Sequence, residues 1–247
     1  MTKRCKIDRK TLSKIIHEDF GKKVRKKRLV HGLKDSHKGN RKRNCRKLYE
    51  HHLAGGKAEF MVSLDEALFY LQDCNGTRRI AYTKDPEEME KFVAPKAEKF
   101  NDKFMVVGAI CGRGTLPLMK FPSNAKINAR YHVEHVLKPL LETHVPSLYG
   151  EEASKVYVHH DAATSHTARL TAAYAEDLKQ RLGITILKKE GIPIKSPDAS
   201  PMEFFGFGFL KQKLFRRKAT TLQGAWKVLN DEWSKLPQET IENVMES

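Results

Sequence analysis

The sequence has few cysteines, no long apolar run, and almost no acidic charge to offset the basic residues of its first quarter. Its four cysteines, Cys5, Cys45, Cys74 and Cys111, lie far apart and form no C-x-x-C pair. That spacing argues against a disulfide framework and against a cysteine-based zinc motif, and it fits a reducing, intracellular compartment. No apolar stretch approaches the roughly 20 residues of a membrane-spanning helix. The basic opening "MTKRCKIDRK" lacks the apolar segment of a secretory signal. No internal repeat is visible. What is there is a chain of 247 residues, 40% of them hydrophobic, long enough for one large domain or one domain with an appendage.

The formal net charge is +16, and it is unevenly placed. Residues 1–57 hold 20 Lys/Arg against 5 Asp/Glu, whereas residues 58–247 hold 26 against 25. Such asymmetry points to a polyanionic partner, nucleic acid before an anionic membrane, with a solvated basic tail as the plain alternative. Residues 7–24 read as a short helix with Asp8 as N-cap, an apolar stripe of Leu12, Ile15 and Ile16, and Gly21 as the stop. Its exposed face offers Arg9, Lys10 and Lys14 to phosphates. Lys22, Lys23, Arg25, Lys26, Lys27 and Arg28 open a basic linker over 22–43 that also has the pattern of a nuclear-import signal, so the nucleus is the expected location. A second helix is expected over about 36–53, ended by Gly55-Gly56. Residues 1–57 are therefore expected to form a basic DNA-binding arm and linker, and residues 58–247 a separate domain.

From residue 58 the pattern changes. "AEFMVSLDEALFYL" reads as a strand, a turn at Asp65 and a second strand. "KFMVVGAICGRGTLPLMKF" (103–121) reads as two strands around a glycine-rich turn. Tyr131, Val133, Val136, Leu137 and Leu140 recur at helical intervals. "VYVHHDAATSHTA" (156–168) is a buried strand that stops near Asp161, followed by a helix over about 166–182 and a short strand at 184–187. The remaining segments, 196–215 and the two from Leu222 onward, read as helices. This order implies an α/β domain around a mixed sheet.

Three carboxylates stand out by position: Asp65 and Asp161 at strand ends, and Glu203 at the start of a helix. Strand ends in α/β sheets are where ligand sites gather. Acids converging there would repel one another without a cation, and an all-oxygen donor set selects Mg²⁺ or Mn²⁺. Each acid also has a plainer role. Asp65 fits a turn, with Glu66 as a rival ligand, and Asp161 fits a helix cap. Glu203 completes the capping box "SPME" with Ser200, and Asp198 competes with it as a ligand. His159, His160 and His166 suit structural places at a strand edge and a helix start.

These motifs resemble those of mariner-superfamily transposases. "HHDAATSHTA" is similar to the family's D-N-A-x-x-H-x-A segment, and "IPIKSPDASPMEFFGFGFLKQKL" to its S-P-D-x-x-P-x-[ED] block. "MVSLDEALF" resembles the first-aspartate motif, and "EWSKLPQETI" a recurrent C-terminal segment. The resemblance runs from about residue 7 to 247. It implies a ribonuclease H-like fold and a DD(E/D) triad of Asp65, Asp161 and Glu203, which would also be the metal ligands. It further implies Mg²⁺- or Mn²⁺-dependent cleavage and strand transfer on double-stranded DNA, at transposon ends and target, by a homodimer. Asp198, as the aspartate of S-P-D, then falls outside the triad. The sequence departs from the family in having Ala162 after the second aspartate and 41 residues between Asp161 and Glu203. Related branches with long spacings carry aspartate at the Glu203 position. Only the end of the second of the family's two helix-turn-helix units has a counterpart, in 7–24, as expected of a partial copy. A transposase-derived DNA-binding protein without chemistry, and a nuclease on the same fold, are the alternative readings.

Overall fold

The structure, a computed structural model, describes residues 8–20, 33–71, 102–122, 124, 125, 127–193 and 195–246. The chain divides into two compact units, Met1–Lys34 and Asp35–Ser247. In the first, helix α1 (Arg9–Lys14) runs on into one wider turn, Ile15–Asp19. Asp8 caps it as its sequence position predicts, accepting a hydrogen bond from the Lys10 amide at 2.8 Å. Gly21 and the cluster Lys22, Lys23, Arg25, Lys26, Lys27 and Arg28 lie outside the described residues.

The larger unit begins earlier than the expected boundary at 57/58. Helix α2 (Asp35–Leu48), continuing through Tyr49–Leu53, belongs to it. Two features of α2 account for this. The Asn44 amide donates to the carbonyls of Glu190 and Ile192, at 2.9 and 3.0 Å, and Leu48 is buried in a hydrophobic cluster of the same unit. Gly55 and Gly56 then turn the chain with positive φ of 69° and 80°, a conformation that favours glycine.

One six-stranded mixed sheet organises the unit: β1 (Met61–Tyr70), β2 (Lys103–Cys111), β3 (Gly114–Thr115), β4 (Met119–Pro122), β5 (Tyr157–His159) and β6 (Thr185–Ile186). Its order is β3-β2-β1-β5-β6, with β4 also pairing β2. The first four strands pair antiparallel, and β5 and β6 run parallel to β1. The turn expected at Asp65 is absent. Continuous pairing with β2, from Ser63 opposite Ile110 to Tyr70 opposite Lys103, carries β1 straight through that residue. Pairing with β5, by contrast, ends at Ser63 opposite His159. Asp65 therefore lies just past the point where its parallel neighbour leaves the sheet.

Because side chains alternate along a strand, β1 serves two cores. Val62 and Leu64 face a helical run over residues 129–149 (α3) and helix α5 (Arg169–Leu182). Asn128 caps α3 by accepting from the Tyr131 amide at 2.9 Å. Met61 and Phe69 face α6 (Phe207–Arg217), α7 (Leu222–Trp233) and α8 (Gln238–Glu246). A mixed sheet covered on both faces by helices is the ribonuclease H-like arrangement expected from the motifs.

Candidate active site

Alternation also separates the two acids of "LDEA". Asp65 shares its face with Ser63, and Glu66 faces the opposite side. On the Asp65 side, the Ser63 hydroxyl lies 3.2 Å from that of Ser200 and accepts weakly from the Met202 amide at 3.4 Å. These contacts fix the helical turn Met202–Gly206 over the strand. The chain comes close here because the residue opposite Asp65 is Gly108, where a Cβ would stand 2.7 Å from Met202 Cε. Met202 is fully buried at that spot. Its neighbour Glu203 is thereby brought near Asp65. Ser200, predicted as the side-chain cap of this turn, turns its hydroxyl to Ser63, while its carbonyl accepts from the Glu203 amide at 2.9 Å.

Asp161 follows β5 directly. Its Oδ1 accepts from the Ala163 amide at 2.9 Å and lies 2.7 Å from His166 Nδ1. The other ring nitrogen of His166, Nε2, is 3.0 Å from Glu66 Oε1. One buried imidazole, carried on the single helical turn α4 (Thr164–Thr167), thus ties the second acid to the far side of β1. Burial opposes a charge on this ring, but the hydrogen bonds to Asp161 and Glu66 and their charges outweigh it, raising the pKa to about 10. The hydrogen bond from His166 in turn holds Asp161 below the ordinary carboxylate range.

Asp65 behaves in the opposite way. Burial pushes its pKa up to about 8, against one hydrogen bond from the Glu66 amide, and the charges of Glu203, Glu66 and Asp161 add to the rise. Two of the acids singled out in the sequence, Glu203 and Asp161, thus act on the third, Asp65. Their donor atoms are all oxygens, as a hard divalent cation requires, and a cation there would offset the burial and the like charges that raise Asp65. The residues fit such an ion. Asp198 is placed elsewhere: its carboxylate receives two hydrogen bonds from Arg41 on α2, at 2.8 and 2.7 Å, so its charge is already matched.

Of the basic residues expected to meet DNA, Lys10 and Lys14 are exposed, and Lys14 lies 3.7 Å from Glu18. Arg9 opens α1. Sequence reasoning gave His166 no part in the site, and the link it makes is set by tertiary contact with Glu66, 100 residues away. The D-x-x-x-x-H spacing was the one available signal. His132, buried beside His166 with ring centroids 4.2 Å apart, carried no signal at all.

No protein-family model and no curated protein sequence matches the chain. Solved structures do. The Mos1 mariner paired-end complex with Mg superposes with a TM-score of 0.74 at 20% identity, covering 99% of this chain and 68% of that one. A pre-cleavage Mos1 transpososome gives 0.73 at 20% identity with the same coverage. The catalytic domain of Mos1 mariner transposase gives 0.61 at 20% identity, over 88% of this chain and 91% of that one. The chain therefore has the fold of the Mos1 mariner transposase.

Proposed function

We propose that the protein is a mariner-like transposase that cleaves double-stranded DNA at transposon ends and joins the freed end to a target. What supports the reading is that Asp65 on β1, Asp161 just after β5 and Glu203 on a helical turn influence one another: burial raises the Asp65 pKa, and the charges of Glu203 and Asp161 add to the rise. The fold shared with Mos1 complexes, including its strand transfer complex, supports it. Asp65, Asp161 and Glu203 would hold the divalent ions, Mg²⁺ or Mn²⁺, and Mos1 complexes solved with Mg and with Mn support that choice. Bound there, such ions activate the attacking oxygen and stabilise the leaving oxygen of a phosphodiester.

The chain's own residues do the rest. His166 Nδ1 and the Ala163 amide hold Asp161 in one orientation through Oδ1. The Ser63–Ser200 contact and the close approach at Gly108 fix the distance of Glu203 from the sheet. Water attacks the phosphodiester at the transposon end, and the released 3′-hydroxyl then attacks a target phosphodiester. Arg9, Lys10, Lys14 and the cluster at 22–28 supply phosphate contacts, which give affinity without sequence choice. In this reading the protein works as a homodimer on DNA, as the paired-end complexes of Mos1 suggest, and the basic 22–43 segment directs it to the nucleus.

The test is nicking of supercoiled plasmid DNA with and without Mg²⁺. Wild type and Asp198→Asn should nick, and Glu203→Gln should not. Metal-independent nicking, or activity in Glu203→Gln with loss in Asp198→Asn, would overturn the assignment. DNA binding with no metal-dependent nicking in wild type would favour a transposase-derived binding protein instead. Residues 1–34 hold 13 Lys/Arg against 3 Asp/Glu, so deleting them should flatten the dependence of log K on log salt, by about 0.9 for each phosphate that the arm no longer neutralises.

A further inference from the structure

The side of β1 opposite Asp65 carries a different donor set. Three imidazoles from three elements meet there: His132 in the first turn of α3, His160 just after β5, and His166 on α4. Their ring centroids are 4.2, 4.8 and 6.3 Å apart, and one nitrogen from each lies within 4.8 Å of the others. His132 is fully buried, yet neither of its ring nitrogens has a hydrogen-bond partner, and His160, 3% exposed, leaves Nδ1 without one. Buried polar atoms in folded proteins are nearly always satisfied, so three such atoms in adjacent rings call for a ligand. A cavity of about 540 Å³, lined in part by His160, His166, Thr167 and Thr171, gives access from solvent.

We propose that His132, His160 and His166 form a zinc site, separate from the oxygen-lined site on the other face of the strand. Imidazole nitrogens favour zinc over Mg²⁺, so the two donor sets sort two kinds of metal. Glu66 completes the shell: its Oε1 is 3.0 Å from His166 Nε2, close to the roughly 3.3 Å between two ligand atoms on one tetrahedral zinc with bonds of 2.0–2.1 Å. The ring nitrogens, up to 4.8 Å apart, must close by up to about 1.5 Å to reach that spacing. His166 keeps its Nδ1 contact with Asp161 while Nε2 takes the metal, a carboxylate–histidine–zinc arrangement that fixes the ring. The zinc site then buttresses Asp161 without joining the reaction.

The experiment uses the full chain, stripped with a chelator and titrated with Zn²⁺ and with Co²⁺ as a spectroscopic probe. Wild type should take up one zinc per chain, unfold at higher temperature with it, and give the intense visible absorption of four-coordinate Co²⁺. His132→Leu should bind at least about 100-fold more weakly while its apo form stays folded, because an apolar side chain suits a site where the ring nitrogens have no partner. Glu203→Gln should bind zinc like wild type, so failure of the proposed DNA chemistry leaves this result unaffected. If His132→Leu does not fold, His160→Asn takes its place, and imidazole ¹⁵N NMR of the zinc-loaded wild type should show three shifted rings. No stoichiometric uptake by wild type, unchanged binding in the variant, or fewer than three shifted rings would overturn the proposal.

Discussion

Two groups of carboxylates in the larger unit meet opposite fates. Around Arg113, Glu59 accepts from the guanidinium at 2.6 Å, Glu152 accepts from the same group, and Lys155 reaches Glu152 at 2.7 Å. The hydrogen bonds from Arg113 and then Lys155 hold Glu152 down to about 2. Around Asp65, His166 answers Asp161 and Glu66, and Asp65 itself accepts from the Glu66 amide. Asp65, left with burial and three like charges, rises to about 8. The first group is complete as it stands. The second leaves Asp65 raised by burial and by like charges, the kind of perturbation that gathers at functional sites.

The largest effect expected from this contrast is on cleavage. Asp65→Asn should reduce Mg²⁺-dependent nicking to background while leaving the apo protein as stable as wild type or more so, because it removes a buried group that is costly to charge. A variant that nicks at the wild-type rate would remove Asp65 from the site. Asp161→Asn should also lose nicking. Its charge is matched by His166, however, so no gain in stability is expected there.

The next effect is on pH. A carboxyl at about 8 in the folded protein and 3.8 when unfolded keeps a proton that the unfolded chain releases. Apo stability should therefore fall as pH rises from about 4 to 8. His166 extends the fall: its contribution is complete below 6.5 and is lost as pH climbs towards about 10. Adding Mg²⁺ at pH 7 should release close to one proton, read by calorimetry in buffers of different ionisation enthalpy. Asp65→Asn should abolish that release. If wild type releases no proton, Asp65 is already ionised and the contrast between the two groups disappears.

Smaller effects belong to the matched carboxylates. Arg113→Met should lower the melting temperature by a few degrees whether or not Mg²⁺ is added, since Glu59 loses its guanidinium partner and Glu152 keeps only Lys155 of the two cations it accepts from. Smallest of all, Asp198→Asn breaks an exposed pair with Arg41 and should cost no more than about 1 kcal/mol in denaturant unfolding.

Much of this was legible beforehand. The β-branched run ending at Asp161, the apolar spacing within 129–149 and the cap at Asp8 are local patterns, and the structure keeps them. The turn at Asp65 was misread because an acid inside an apolar run looks like a strand end. Its true setting, opposite Gly108 on a long antiparallel partner, depends on residues more than forty positions away. Likewise, α2 reads as part of a basic arm by charge alone. Asn44 and Leu48, two side chains among many charged ones, fasten it to the sheet unit.

By itself the sequence determined which donor atoms exist, where the positive charge gathers, and which segments have strand or helix periodicity, because these depend only on residue type and short-range order. Tertiary structure decided how the donors were divided. It gave Asp198 to Arg41 and brought Glu203 near Asp65, and it turned Asp65 and Glu66, adjacent in sequence, towards opposite faces of one strand. The physical reason is that a carboxylate's role follows from the charges and burial around it, and those neighbours come from distant parts of the chain that only folding brings together.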